Sequence, residues 1–235
     1  MAKQSKRFSE IKTKVDPGQQ YSVEEAIKLA KELASAKFDE TVEVHIRLGV
    51  NPAKSEQQVR GTVVLPHGTG KVPRVAVFAE GEAVRQAQEA GADRVGSEDL
   101  IKDIEAGWND FDLLVAQPQL MKAIGRLGKI LGPRMPSKKA GTIDTDVAAV
   151  VRELKSGRVE YRIDKGGVIH APIGKTSFTD EQLLQNFYTL LDAVLNARPS
   201  GVTGRYIRSL TLSTTMGPGI KIDVDKAISQ AAKAA

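Results

Sequence analysis

The sequence predicts a two-domain protein of mixed class, in which a split α+β domain built from both termini surrounds an inserted three-layer α/β domain. Two observations lead to this prediction. Both ends of the chain combine alternating strands with long amphipathic helices, whereas the middle alternates short apolar strands with helices. In addition, 235 residues suffice for two small domains, but each end alone is marginal in size for its own core. We therefore expect residues 1–66 and 159–235 to pack together, and residues 67–158 to form the insert.

The first flank is predicted to contain a helix and two strands. Ser22 and Glu25 have the spacing of a capping box, and apolar residues follow them at helical intervals. Strict alternation of apolar and polar residues predicts a strand over 42–48, and a second strand is predicted over 59–65. The basic residues 1–14 contain no apolar stretch of the secretory-signal type, and we interpret them as a solvated arm.

The insert follows a segment rich in proline and glycine at 66–73, which is typical of a linker. Short apolar runs at 74–79 and 111–116 alternate with helical stretches, and glycines stand where three of the helices should end. Strands of the buried type separated by helices predict a largely parallel, Rossmann-like sheet with helices on both faces. The helical stretches are 80–90, 97–106, 118–127 and 144–156, and the glycines are Gly91, Gly107 and Gly157.

The second flank returns to the pattern of the first. A hairpin is predicted over 158–172 with its turn at 165–167. Thr179 and Gln182 are predicted to cap a long helix, and a strand rich in β-branched residues follows over 206–215. Because the chain passes twice between the two domains, we expect the crossings to act as a hinge.

Composition excludes several classes of protein. The absence of cysteine excludes disulfides, thiolate zinc sites and thiol catalysis, and it suits a reducing cytoplasm. No stretch approaches the ~20 apolar residues of a transmembrane helix, so we expect no membrane partner. The net charge of +5 points only weakly to nucleic acid.

The charge is unevenly distributed along the insert. The two flanks carry 20 basic and 16 acidic residues, a net of +4, whereas the insert has a net of +1. Within the insert, residues 67–120 have a net charge of −5 and residues 121–158 a net charge of +6. This polarity reflects either chance variation of surface charge or a second basic patch. The members of such a patch would be Lys129, Arg134, Lys138 and Lys139.

Catalytic and cofactor motifs are missing from the sequence. The three histidines have no paired spacing, and there is no HExxH, GxSxG or calcium-loop pattern. Residues 174–177 resemble the end of a phosphate-binding loop, but Ile169 stands where that loop requires glycine. We therefore expect no catalytic residue, no metal site and no cofactor.

Three loops contain residue types that suit contacts with RNA. Phe38 lies beside Lys37 before the first strand, where its ring either stacks on an unpaired base or plugs the end of the helix. Residues 214–219 combine hydroxyls, glycines and Met216, which suits either close contact with ribose and phosphate or a tight turn with a buried methionine. The turn at 164–167 leaves the same choice open.

Five segments together closely resemble the bacterial large-subunit ribosomal protein L1 family. They occur in the order of the family and extend over nearly the whole chain, so the combination is specific although each segment alone is weak. The segments are KFDETVEVHIRLGV (37–50), VRGTVVLPHGTGK (59–71), LGKILGPR (127–134), VIHAPIGKTSF (168–178) and TTMGPG (214–219).

The resemblance implies a non-enzymatic protein that binds a junction in 23S ribosomal RNA, as a monomer within the large subunit of the cytoplasmic ribosome. It also implies a mobile stalk beside the tRNA exit site that assists release of deacylated E-site tRNA, and repression of translation by binding the protein's own mRNA. The split domain is expected to make most of the RNA contacts. The implied contact residues are Lys37, Phe38, Thr41, Asp164, Lys165, Gly166, Thr215, Met216 and Gly217.

One segment departs from the family pattern. After residues 132–134 the family usually continues Gly-Leu-Met-Pro-Asn-Pro-Lys, whereas this chain proceeds directly to Met135 and is two residues shorter. The departure leaves open the geometry of that loop and any contact it makes with RNA or tRNA. The alternative function is a two-lobed protein that binds a nucleotide or another small molecule, and a third is a general RNA chaperone.

Overall fold

The computed structural model describes residues 5–234 of the chain. The chain divides into two compact units, which we call the split unit (Met1–Gly70 with Val159–Ala235) and the inserted unit (Lys71–Arg158). The split unit is α+β and the inserted unit is three-layer α/β, so the predicted fold class is confirmed.

The described residues form nine α-helices and nine β-strands. The helices are α1 (Lys6–Lys12), α2 (Val23–Leu33), α3 (Glu82–Glu89), α4 (Glu98–Glu105), α5 (Met121–Ile124), α6 (Gly128–Leu131), α7 (Val147–Lys155), α8 (Asp180–Asn196) and α9 (Val224–Ala234). The strands are β1 (Thr41–Leu48), β2 (Arg60–Val64), β3 (Val75–Phe78), β4 (Arg94–Gly96), β5 (Leu113–Ala116), β6 (Arg158–Arg162), β7 (Val168–Lys175), β8 (Ile207–Thr214) and β9 (Ile220–Ile222). None of the helices in this part of the chain has the length and apolar character to cross a bilayer.

The split unit is built on a four-stranded antiparallel sheet in the order β7-β1-β8-β9. Residues alternate along β1, so Val42, Val44 and Ile46 are fully buried against the helices α2, α8 and α9. The opposite side, which we call the outer sheet face, displays the odd-numbered residues of β1 and their neighbours in β7 and β8. The core therefore fixes one face of the sheet and leaves the other for contacts.

Both predicted helix caps are present. Ser22 Oγ accepts a hydrogen bond from Glu25 N at 3.3 Å, and Glu25 Oε2 accepts one from Ser22 N at 3.0 Å. Thr179 and Gln182 make the same reciprocal pair at the start of α8, with distances of 3.2 and 3.0 Å. Each pair satisfies amide groups that have no partner inside the helix, so both helices begin where the sequence predicts.

The predicted hairpin over 158–172 is wrong in its strand pairing. β6 pairs with β2 in a separate two-stranded sheet, whereas β7 lies at the edge of the four-stranded sheet. The turn is present, because Asp164 N donates to Val168 O at 2.9 Å, and an isolated bridge joins Ile163 to Ile169. β7 instead pairs with β1 along its full length, which forms a longer ladder than the short hairpin would.

The interpretation of residues 1–14 as a solvated arm is wrong for the described part of that segment. Residues from Lys6 onward form α1, whose N-cap Ser5 accepts a hydrogen bond from Phe8 N at 3.3 Å. Ile11 and Val15, four residues apart on one side of the segment, are each 8% exposed and join the core of the split unit. The many lysines around these two apolar residues hide the helical pattern.

The inserted unit has a parallel sheet in the order β4-β3-β5 with helices on both faces. α4 and the segment around α5 and α6 cover one face, and α3 and α7 cover the other. Gly91, Gly107 and Gly157 adopt positive φ values of 91°, 104° and 104° after three of these helices, as their C-cap positions predict.

One prediction for the insert needs correction, and one strand was missed. The stretch 118–127 is not one helix but a series of short α and 3-10 turns, because Pro118 opens it and Gly125 interrupts it. β4 was not predicted, since three residues carry too little pattern. The shortened loop after Arg134 is closed by hydrogen bonds from Ser137 N to Thr142 Oγ1 at 2.9 Å and from Thr142 N to Ser137 O at 3.2 Å.

Candidate nucleic-acid interface

Two of the three predicted loops meet at one end of the four-stranded sheet, where β1 begins and β8 ends. β1 begins where its antiparallel neighbour β8 ends, so Thr215 N donates to Thr41 O at 3.0 Å and Thr41 N donates to Thr215 Oγ1 at 2.9 Å. The loop before β1 and the loop after β8 therefore form one surface. We call it the strand-end cluster, and its residues are Lys37, Phe38, Thr41, Thr215, Met216 and Gly217.

The buried side chain of Glu40 forms hydrogen bonds with both of these loops. Its side chain is 1% exposed; Oε1 accepts a hydrogen bond from Ala36 N at 3.0 Å and Oε2 accepts one from Met216 N at 2.9 Å. Burial by itself raises the pKa of Glu40, but the hydrogen bonds from Met216 and Ala36 outweigh it and lower the pKa below its usual value. An ionised carboxylate thus bridges the loops at neutral pH.

Sequence reasoning missed Glu40, although a signal for it exists. Glu40 is in phase with Val42 and Val44, the inward-facing residues of β1, so continued alternation places its side chain inside. A carboxylate on the buried face of a strand needs donors, and here they are backbone amides of the two loops.

Phe38 and Met216 are exposed on the strand-end cluster. Their exposed fractions are 56% and 45%, which excludes both the plug on the helix end and the buried methionine. Val64, Val72 and Ile130 are the other large apolar residues with comparable exposure in the described part of the chain. An exposed aromatic ring and an exposed thioether on two joined loops offer apolar contact surface for the face of a base.

Asp39 and Lys175 hold the loop that carries Phe38. Asp39 accepts hydrogen bonds from Thr176 Oγ1 at 2.7 Å and from Ser177 N and Oγ at 3.1 and 2.8 Å. The bonds from Thr176 and Ser177 lower the pKa of Asp39. Lys175 Nζ donates to Thr41 Oγ1 at 2.8 Å. Residues 174–177 therefore act as a clamp on the Phe38 loop, and not as a phosphate-binding loop at the start of a helix.

The third loop, residues 164–167, lies at the opposite end of the sheet. The register of β1 with β7 runs from Thr41–Lys175 to Arg47–Val168, and eight residues of strand extend about 23 Å. Within the turn, Asp164 Oδ1 accepts hydrogen bonds from Val168 N at 2.7 Å and Gly166 N at 2.8 Å. The Val168 amide is the main cause that lowers the pKa of Asp164, so this carboxylate shapes the turn that presents Lys165.

The outer sheet face connects the two ends, and sequence reasoning missed it as a surface. It displays small hydroxyls, imidazoles and charged groups between the strand-end cluster and the turn. In the order of the strands, its residues are His170, Glu43, His45, Arg47, Ser209, Thr211 and Ser213. These hydroxyls and imidazoles suit the ribose 2′-hydroxyls and phosphates of RNA.

Two of the three histidines, His45 and His170, lie next to each other in the structure, although their spacing in the sequence does not predict this. His45 and His170 are directly opposite in the β1–β7 register, and their Nδ1 atoms are 2.7 Å apart. His45 Nε2 lies 2.9 Å from Ser213 Oγ, and His170 Nε2 lies 3.5 Å from Asp164 Oδ2. Burial, followed by the charge of His170, lowers the pKa of His45. No group of three or more His, Cys, Asp or Glu suited to a metal ion occurs within residues 5–234.

The predicted basic patch of the insert is partly described by the structure. Lys129, Arg134 and Lys138 are exposed on the inserted unit. The side chain of Lys139 lies outside the part of the chain that the structure describes.

A polar sheet face thus lies between exposed Phe38 and Met216 at one end and exposed Lys165 at the other, a combination that suits single-stranded or looped RNA. Comparison with known protein families identifies the family of the chain. The model of the ribosomal protein L1p/L10e family matches residues 30–218, about four fifths of the chain. The chain belongs to this family, as the sequence resemblance predicts, and is a ribosomal protein that binds ribosomal RNA in the large subunit.

Proposed function

We propose that the split domain, residues 1–66 and 159–235, binds its 23S ribosomal RNA site through the strand-end cluster. The observation that carries this proposal is the exposure of both Phe38 and Met216 on two loops that the buried Glu40 holds together. Preorganised loops lose little conformational freedom on binding, so exposed apolar groups on them give specific affinity. Thr41, Thr215 and Gly217 supply hydroxyls and close backbone approach around the two apolar side chains.

The turn at the far end of the sheet contributes a second group of contacts in this proposal. Asp164 orders the turn, Gly166 lets the RNA backbone approach closely, and Lys165 pairs with a phosphate. Lys37 makes the corresponding phosphate contact at the strand-end cluster. Because the two ends are about 23 Å apart, the RNA lies along the outer sheet face between them.

Substitutions at the strand-end cluster test the proposal. Phe38→Ala and Met216→Asp should each weaken binding to a fragment of the 23S rRNA stalk by ~1–3 kcal/mol, the scale for loss of a stacked or buried contact. Val64→Asp is the matched control, because Val64 is 43% exposed on the separate β2–β6 sheet. Unchanged affinity of both variants contradicts the site.

The wider role follows from the family resemblance. We infer that the protein is a non-enzymatic monomer of the cytoplasmic ribosome, and that residues 67–158 form the mobile part of a stalk that assists release of deacylated E-site tRNA. Ribosomes that lack the protein should release deacylated tRNA more slowly, and added wild-type protein should restore the rate. Equal release rates with and without the protein contradict this role.

A regulatory role is proposed on the same basis. The protein represses translation of its own mRNA when it is in excess over rRNA. A reporter fused to the leader of that mRNA should fall on overproduction of wild-type protein and not on overproduction of Phe38→Ala, because one site serves both RNAs. Stabilisation against heat by nucleotides but not by RNA would favour the alternative of a small-molecule binding protein.

A further inference from the structure

A cavity of about 390 Å³ opens on the surface of the inserted unit, apart from every residue proposed above to contact RNA. Its floor is aromatic, because it includes Trp108 and the buried Phe111, whose ring centroids are 5.4 Å apart at 43°. Its rim includes Asn109, Ile130 and Arg134. The cavity therefore combines an aromatic floor with a polar and cationic edge.

The rim carries an apolar side chain that the core does not use. Ile130 lines the cavity and is 58% exposed, although its neighbour Leu131 is buried in the core. Gly107, which follows α4, also lines the cavity. It has a positive φ and no atom within 4 Å of the position of a Cβ, so it contributes backbone and no side chain to the lining. The cavity thus offers the exposed apolar surface of Ile130 in addition to its aromatic floor.

Arg134 provides a cation that no carboxylate within residues 5–234 neutralises. Its Nη1 lies 3.4 Å from both Asn109 O and Phe111 O, and its guanidinium carbon is 5.6 Å from the Phe111 ring centroid. Arg94, which lies over the Trp108 ring at 4.6 Å, differs because it forms an ion pair with Asp103. Arg134 is thus held at the rim with its charge available to an anion.

We propose that this cavity receives one unpaired nucleobase of an RNA strand, with a neighbouring phosphate on Arg134. The cavity has the volume of a small-ligand pocket, and its aromatic floor suits the face of a flat ring. Lys129, next to Ile130 in the sequence, is exposed and offers a further phosphate contact for a strand, which a free mononucleotide cannot use. The inference goes beyond the proposed function, which places its RNA contacts on the split unit, and adds a site on the inserted unit together with the kind of group that it holds.

Trp108 is the only tryptophan of the chain, so its fluorescence reports directly on this cavity. The full-length protein is titrated with a single-stranded adenosine hexanucleotide, with AMP, and with a hexamer of abasic ribose phosphate. We expect saturable quenching by the hexanucleotide, at least tenfold weaker binding of AMP, and little change with the abasic hexamer. Equal quenching by the abasic hexamer overturns the inference, because charge alone then suffices. AMP binding as tight as the hexanucleotide overturns the assignment to an RNA strand.

Matched variants locate the site. Ile130→Glu and Arg134→Ala should each weaken quenching by the hexanucleotide roughly tenfold. Their controls are Val72→Glu, an apolar residue 69% exposed on the same unit, and Arg126→Ala in the same basic segment, and both should change affinity less than twofold. Equal losses in variants and controls overturn the assignment.

The test also separates this inference from the proposed function. Binding of the rRNA stalk fragment without any effect of the hexanucleotide on Trp108 overturns the cavity site and leaves the strand-end cluster intact. Quenching by the hexanucleotide in a protein that does not bind the stalk fragment supports the cavity site and contradicts the proposed function.

Discussion

Glu40 determines the spacing of the two apolar side chains on the strand-end cluster. Its carboxylate bonds to amides on both loops, and hydrogen bonds to an ionised acceptor are about twice as strong as neutral ones. Because the side chain is buried, the two bonds are shielded from competition with water. In the proposed site, the buried Glu40 therefore positions the loops that carry Phe38 and Met216.

Replacing Glu40 by glutamine should show how much the carboxylate contributes to stability and to RNA affinity. The side-chain amide of glutamine directs an N–H towards one of the two loop amides, so we expect a loss of about 1–3 kcal/mol in the free energy of unfolding. RNA affinity should fall together with stability, because the loops lose their common anchor. Urea unfolding and titration with the stalk fragment measure the two effects.

Glu43→Gln is the control for Glu40→Gln, since Glu43 lies on the outer sheet face of the same strand and has no buried partner to lose. We expect its unfolding free energy to change by less than about 0.5 kcal/mol. An unfolding curve of Glu40→Gln that matches wild type contradicts the anchoring role.

The His45–His170 pair should titrate in an identifiable way. Burial and the neighbouring imidazole lower the pKa of His45, so the folded protein binds this proton only at a lower pH than the unfolded chain does. The contribution of His45 to stability is thus fully present above its unfolded pKa of about 6.5, and it is lost as the pH falls towards the folded pKa.

NMR can measure this directly, because the chain has three histidines. The ring signal of His45 should titrate below 6.5, and in His170→Gln its midpoint should move up towards 6.5. His67→Gln is the control, since His67 lies outside the pair and contacts Gln185. A wild-type midpoint at or above 6.5 disproves the effect of burial and pairing.

At the scale of elements, α1 belongs to the core of the split unit. Ile11→Ala should lower the free energy of unfolding by about 2 kcal/mol, because its side chain is buried with Val15 against that core. Lys12→Ala, one residue further on the exposed side, should change stability by less than about 0.5 kcal/mol. Urea unfolding of both variants checks this, and equal effects would mean that α1 is not anchored.

Local signals predicted the elements better than their partners. Caps such as Ser22–Glu25 and the alternation of β1 are encoded within a few residues, so they survive into the structure unchanged. The pairing of β6 with β2 instead of β7 depends on contacts between residues about 100 positions apart, which no local pattern contains. α1 was missed because two apolar residues among lysines give too weak a periodicity.

The candidate site divides in the same way. Residue chemistry was sufficient to single out the three loops, because a lone aromatic residue, a hydroxyl-rich strand end and a glycine turn are local features, but it left the role of each loop open. Strand register was needed to learn that two of the loops meet while the turn at 164–167 lies at the far end. The same register brings His45 to His170, and it turns separate polar positions into the outer sheet face.

At the scale of the whole molecule, the net charge of +5 describes the surface poorly. Several cations already form ion pairs within the described units; for example, Lys31 pairs with Asp180, and Lys155 pairs with Asp93. The cations on or beside the proposed RNA surface include Lys37, Arg47, Lys165 and Lys175. Lys221 of β9 is opposite Thr211 in the register, but its Nζ donates to Pro17 O at 2.8 Å. Charge can therefore supply only part of the affinity for RNA.

This charge count predicts a modest salt dependence. If four cations neutralise four phosphates, the logarithm of the binding constant for the stalk fragment should fall with the logarithm of salt concentration with a slope of about −3. Phe38→Ala should lower affinity at every salt concentration and leave the slope unchanged, because it removes a stacking contact. Lys165→Ala should reduce the steepness by about 1, because it removes one phosphate contact. Titrations from low to high potassium chloride measure the salt dependence of the wild type and of both variants. A wild-type slope steeper than about −6, or a changed slope in Phe38→Ala, would contradict the prediction, because RNA binding would then depend on bulk charge and not on contacts with the loops.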